Sequence, residues 1–392
     1  MKPTLAKLSC LTLGTLASLF AQDLTITNAR IIGPNGTVIE RGSIVVRAGK
    51  IASVTPGGPP AAAGRTIDAK GMTAMPGFID GHRHINTGPN EKQEMQALLE
   101  AGYTTVLSGG GPAEGNIALR DHIDKGVING PRIIPSGALF QIGNLTPEAA
   151  RAEIRKMAGM GVKFTGEIVL NPIPGPTAKE MENLRAVVDE GEKVGVTVQV
   201  HAVSSTAMVA AAEAGVPLLV HLPNKDWVSK EDAKKVAAAG TKVLGTVSFG
   251  SPVFGVFAED NKPRFRDGKP WPEGIIDGVR LGEEAGYMPV NARTIWDAGV
   301  ILGYCTDTNY DPKAGLDHEL KMLNVMFSMR DLIKMMGPNT ASYVQMGDQI
   351  GTLEAGKLAD IILLDGNPLE GYWNWLKTKV VVKGGMVVVD KH

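Results

Sequence analysis

Cysteine is nearly absent: only Cys10 and Cys305 occur among 392 residues. No disulfide framework is available, so a packed core or bound metal must hold the fold. Aromatic residues are scarce, at 5%, which argues against a stacking platform for single-stranded nucleic acid. An excess of one charge is missing too, since 40 basic side chains meet 41 acidic ones. With no basic run, nucleic acid and acidic membrane surfaces are not expected partners. Beyond the first residues, no apolar run reaches the roughly 18 residues of a membrane span. What is there is a globular composition, 43% hydrophobic and 21% charged, ample for a sizeable core. A small-molecule substrate is the expected partner, and a homo-oligomer stays open.

The N-terminus differs from the rest. Lys2 and Lys7 precede an apolar stretch from Leu8 to Phe20, then Ala21 and the polar pair Gln22-Asp23. That order reads as a secretory signal peptide over residues 1–21. The mature chain is therefore expected to be exported, periplasmic or secreted, with Cys305 as its one cysteine.

Residues 22–75 read as short alternating strands with turns, as in Leu24-Thr-Ile-Thr-Asn28 and Ser43-Ile-Val-Val46. Residues 349–392 repeat the pattern in Ile361-Ile-Leu-Leu364 and Val380-Val-Val-Lys-Gly-Gly-Met-Val-Val-Val389. The two flanks are expected to pair into one small β-sandwich domain. Between them, over 76–348, strands alternate with helices, which implies parallel βαβ units. Apolar strands are expected at 75–82, 104–108, 131–138, 162–168, 196–201, 217–222, 242–248 and 299–306. Eight such units close into an α/β fold of the (β/α)8 type, with an open doubly wound sheet as the alternative. Residues 249–292 form a long connection carrying Lys262, Arg264, Arg266 and Lys269. It reads either as a binding loop, with Arg264 and Arg266 suited to a substrate carboxylate, or as an ordinary solvated loop.

The histidines decide the chemistry. In Phe78-Ile-Asp-Gly-His82-Arg-His84 the first of these strands ends on two histidines two residues apart, and residues at that spacing on an extended chain face the same way. The fifth and sixth strands end at His201 and His221, and the eighth ends at Asp307. One such histidine is ordinarily a satisfied core residue; four with an aspartate, all at the same strand ends, point to metal. His318 opens the helix after Asp307 and is a candidate to contact substrate or to orient Asp307, against a plain helix-surface role.

Pro76-Gly-Phe-Ile-Asp-Gly-His-Arg-His84 resembles the first-strand signature of the amidohydrolase superfamily. Gly351-Thr-Leu-Glu-Ala-Gly-Lys-Leu-Ala-Asp-Ile-Ile-Leu-Leu-Asp-Gly-Asn-Pro-Leu369 is similar to its C-terminal segment, and Gly130-Pro-Arg132 to the imidazolonepropionase- and prolidase-like branch. The resemblance, which runs from about residue 24 to the end, implies two divalent metal ions. His82, His84 and Asp307 would hold the more buried one, and His201 and His221 the outer one. It also implies a bridging residue from the fourth strand, a carbamylated lysine or, in some branches, a glutamate. In Gly161-Val-Lys163-Phe-Thr-Gly-Glu167 both Lys163 and Glu167 share a parity that could face the interior. Glu167 lies nearer the ligand end, the lysine-using branch's position falls on Gly166, and Gly-Glu-Ile is similar to an enamidase-like subset. Glu167 is therefore the expected bridge and Lys163 the alternative. Zinc is the expected ion, with iron or manganese as alternatives.

The resulting expectation is hydrolysis of an amide, cyclic-amide or peptide-type C–N bond, with Asp307 moving the proton. Two other readings stand beside it: a mononuclear deaminase of the same superfamily, and a non-catalytic exported metal- or solute-binding protein.

Overall fold

A computed structural model describes residues 23–248, 278–307 and 311–392, the side chains of 278–285 aside. The expected signal peptide, Arg264 and Arg266 lie outside the described residues. Among the described residues no helix is long and apolar enough to cross a membrane.

The chain opens with five short strands: β1 (Leu24–Ile32), β2 (Val38–Arg47), β3 (Lys50–Pro56), β4 (Arg65–Asp68) and β5 (Thr73–Pro76). The barrel strands follow: β6 (Phe78–Arg83), β7 (Tyr103–Ser108), β8 (Arg132–Ile134), β9 (Ser136–Gly137), β10 (Phe164–Val169), β11 (Thr197–His201), β12 (Leu218–Val220), β13 (Lys242–Gly245) and β14 (Leu302–Tyr304). Last come β15 (Ile361–Leu364), β16 (Thr378–Lys383) and β17 (Met386–Asp390). The intervening helices are α1 (Glu91–Ala101), α2 (Ala113–Asp124), α3 (Pro147–Gly159), α4 (Ala178–Val194), α5 (Ser205–Glu213), α6 (Lys230–Ala238), α7 (Gly278–Asp297) and α8 (Pro312–Leu323). Their starts are written in the sequence. Thr146 caps α3 ahead of Pro147, Thr177 and Glu180 form a reciprocal capping box on α4, and Ser229 caps α6.

Both flanks enter a single mixed sheet in the order β17-β16-β15-β5-β1-β2-β3, with β4 on β1. The join is the antiparallel β5–β15 pair, where Met75 faces Ile362. Strand β15 is apolar at every position because it is buried on both faces. Ile361 and Leu363 enter the flank core with Leu24, Ile26 and Ile44, whereas Ile362 and Leu364 pack toward the barrel core. Arg132, at the start of β8, donates to Asp360 at 2.7 Å and to Thr105 at 2.8 Å. The Gly-Pro-Arg and Ala-Asp-Ile motifs thus meet across the boundary between sheet and barrel, in a structural role.

The barrel strands are all parallel, in two runs, β14-β13-β12-β11-β10-β9 and β6-β7-β8. The expected third strand, 131–138, is divided between β8 and β9 at Pro135, which has no N–H for a ladder. The other seam is joined by side chain and backbone rather than by a ladder. Asp307 N donates to His82 O at 2.9 Å. Asp80 accepts from His82 N (3.2 Å), Thr306 N (3.1 Å) and Thr306 Oγ1 (2.6 Å). Burial pushes the Asp80 carboxyl up, against the opposing pull of Arg83 and Thr306. Asp80→Ala strips acceptors from buried donors, so a loss of about 3 kcal/mol is expected. A chemical denaturation curve overlaying the wild type would rule this role out.

At the opposite end Ile79, Leu107, Phe164, Leu218, Leu244 and Cys305 pack against Ala341, Tyr343, Val344 and Ile350. The Tyr343 hydroxyl is 3.1 Å from Gln199 Oε1 and 3.3 Å from Leu219 O. The segment after the barrel therefore plugs its base and leaves the strands' C-terminal ends as the reactive face. Cys305 is core filling, fully buried with its thiol 3.6 Å from Gly245 O.

Candidate metal centre

The fold brings His82, His84, Glu167, His201, His221 and Asp307 together at that face. His82, Glu167, His221 and Asp307 each contribute one potential ligand atom, and these four atoms lie within 4.8 Å of one another. Glu167 stands between the histidine pairs. Its Oε2 is 2.8 Å from His201 Nδ1, 2.9 Å from His221 Nε2 and 4.0 Å from His82 Nε2, and its Oε1 is 3.7 Å from His84 Nε2. Asp307 Oδ1 is 3.3 Å from His82 Nε2 and 3.1 Å from His84 Nε2, while Oδ2 is 3.7 Å from His221 Nε2.

Local backbone explains how Glu167 arrives there. The β10–β11 register shifts between Phe164 and Glu167, a bulge that breaks simple alternation. Lys163 therefore does not share the interior with Glu167. It is exposed at the foot of β10, and the alternative bridge is not brought to the cluster. Gly166 is required by close approach: a Cβ there would sit 2.9 Å from Gly110 Cα and 3.3 Å from Gly109 O. His221 and Asp307 both occupy positive-φ backbone, at 70° and 51°. Such conformations are unfavourable for non-glycine residues and persist where the surroundings impose them, commonly at functional sites.

The donor set fits a divalent cation. Both ring nitrogens of His82 and Oδ1 of Asp307 are buried without a hydrogen-bond partner, which is unusual unless a group belongs between them. Imidazoles with carboxylates are the ligand mixture of zinc, iron or manganese. Burial alone would raise the Glu167 carboxyl, but the imidazoles of His201, His221 and His84 beside it outweigh that and hold it far below the usual range. Asp307 behaves alike, with His82 and His84 overcoming its burial. His84, held beside the carboxylate of Asp307 and then that of Glu167, is pushed up to about 10. Burial instead lowers His221.

Near neutral pH the metal-free site thus keeps two carboxylates ionised and a proton on His84. A metal ligand must be deprotonated, so zinc uptake at about pH 7.5 is expected to release roughly one proton or more per chain. Titration calorimetry in buffers of different ionisation enthalpy measures this; uptake with no proton release would contradict it.

His318 is half-buried on α8, where burial lowers its pKa. Among the described residues it makes no hydrogen bond or ion pair to Asp307 or the four histidines. Two residues that bond the site's own groups carried no expectation from sequence. Asp80 shares the parity of His82 and His84 within a quoted motif, so its inward direction was available. Thr246, whose Oγ1 lies 2.7 Å from His221 Nδ1, carries no sequence-local signal.

A barrel with four imidazoles and two carboxylates gathered at the C-terminal ends of its strands has the layout of a metal-dependent hydrolase. The family model described as the amidohydrolase family matches residues 73–388, and the chain belongs to that family. An imidazolonepropionase of Caldanaerobacter subterraneus subsp. tengcongensis is 22% identical, over 90% of this chain and 91% of its own length. An enamidase of Eubacterium barkeri is 31% identical over 42% of this chain and 45% of its own. The solved structure of a prolidase complexed with N-methylphosphonate-L-proline matches with a TM-score of 0.78 at 23% identity. It covers 94% of this chain and 100% of the other, a likeness of fold.

Proposed function

We propose that the chain hydrolyses a C–N bond in a small amide, cyclic amide or dipeptide-like substrate at a two-ion centre. The observation that carries this is the position of Glu167, whose carboxylate contacts His201 and His221 and lies 3.7 Å from His84 and 4.0 Å from His82. His82, His84 and Asp307 would hold one ion, His201 and His221 the other, with Glu167 shared. Zinc suits the donors best, with iron or manganese as alternatives. Bound there, such ions supply Lewis acidity, acidifying water and polarising a carbonyl.

The remaining work falls to this chain's own groups. Asp307 is ionised at neutral pH, so it can accept the proton of the attacking water and return it to the departing nitrogen. A cavity of about 240 Å³ opens beside His201, His221 and Asp307, walled by Val203, Leu222 and Met288. That volume suits a small substrate, and the apolar wall suits its non-reacting portion. The relatives named as imidazolonepropionase, enamidase and prolidase support this range of substrates without choosing within it. The signal-like leader adds a proposal of export, which N-terminal sequencing of the mature protein tests.

The deciding experiment is a hydrolysis screen of lactams, cyclic imides, N-acyl amino acids and dipeptides with metal-loaded protein and with His82→Ala. The expected result is turnover of one class, abolished in the variant and by chelation. Metal binding with no turnover across the panel would favour the binding-protein reading. Activity with a single ion per chain, unchanged by Glu167→Gln, would favour the mononuclear deaminase.

A further inference from the structure

Glu319 is a fully buried carboxylate that the hydrolytic scheme does not use. It lies on α8, the helix capped by Asp311. One carboxylate oxygen accepts from Val247 N at 2.6 Å and the other accepts from Ser248 N at 2.8 Å. No lysine, arginine or histidine among the described residues pairs with it. Burial pushes its carboxyl up to about 7, against the pull of those backbone bonds. Burying a carboxylate without a cationic partner is costly, and the two backbone amides it holds are what offset that cost here.

The consequence lies one residue upstream. Thr246 immediately precedes the two amides that Glu319 holds, and its Oγ1 is 2.7 Å from His221 Nδ1. The far nitrogen of that ring, Nε2, is the one 2.9 Å from Glu167. A partner on one imidazole nitrogen sets the tautomer and aim of the other. His221 needs such support, because its own backbone sits at φ 70°.

We propose that Glu319 is a positioning residue for the metal centre, clamping the 247–248 turn so that Thr246 holds His221 with Nε2 aimed at Glu167. The clamp thereby ties α8 to the segment that follows β13, and disturbing it loosens one histidine of the site while sparing the His82–Asp307 side. This rests on the metal role proposed for His221.

The test uses the full chain stripped of metal, titrated with zinc against a chromophoric chelator. Wild type is compared with Glu319→Gln, Thr246→Val and the double variant, and thermal stability is followed in parallel. Each single change is expected to weaken the lower-affinity zinc by about 10–100-fold, leaving the tighter zinc unchanged. The double variant should be no more than about threefold worse than either single, because both act through one ring. Wild-type zinc affinity in folded Glu319→Gln, even with a lowered Tm, would overturn the proposal, as would losses that multiply in the double variant. If Glu319→Gln does not fold, Glu319→Asp replaces it, since a side chain one methylene shorter draws the carboxylate back from both amides; the same outcomes then decide. Failure of wild type itself to bind zinc would instead overturn the function proposed above.

Discussion

Asp307→Asn is expected to lower kcat/KM by roughly 10³–10⁴-fold, the upper range for removing a general acid–base group. The amide keeps the shape and one ligand oxygen, but it cannot accept a proton at neutral pH. Native Asp307 can, because His82 and His84 overcome its burial and hold it ionised. Metal content must be measured alongside, so that a lost ion is not mistaken for a lost proton carrier. Retained metal with a rate near wild type would remove Asp307 from the proton path.

Glu167→Gln is the second large effect. The native carboxylate receives His201 and His221 on one oxygen and faces His84 with the other. Losing its charge should leave one ion in place of two and cut activity by more than about 100-fold, beyond the usual cost of losing a ligand's supporting partner. Because the residue is buried, the variant exchanges an ionic acceptor for an amide whose donor faces imidazole nitrogens, and the ring tautomers must rearrange. Full occupancy by two ions in Glu167→Gln would show that this carboxylate is not shared.

Much of the site was legible because most of the candidate ligands lie at or just beyond the end of an apolar strand. His201 closes β11, His221 follows β12, and Asp307 lies three residues beyond β14. In a parallel barrel, strand ends converge without further information. The i, i+2 spacing of His82 and His84 likewise needed only an extended chain. Parity failed at β10, where the bulge before Glu167 means that alternation from Lys163 does not carry through. Strand-end position was the sounder guide there, and it had already favoured Glu167.

What the sequence could not show are contacts made across long separations. Thr246 meets His221 from the neighbouring strand, and Glu319 reaches Val247 from 72 residues away. Nothing near either residue in sequence marks it as a partner of these groups. The flanking sheet was legible as two β-rich ends, but the β5–β15 register that joins them was not. The division of the third barrel strand does have a local cause, Pro135, which apolar patterning overlooks.

The central claim is that six side chains from β6, β10, β11 and the ends of β12 and β14 form one two-ion centre. Elemental analysis of the purified full chain, after dialysis against metal-free buffer, tests it most directly. The account predicts close to two divalent ions per chain, chiefly zinc, with loss of turnover as a chelator removes them and recovery on adding zinc back. A chain that carries no divalent metal and still hydrolyses its substrate in the presence of chelator would contradict it.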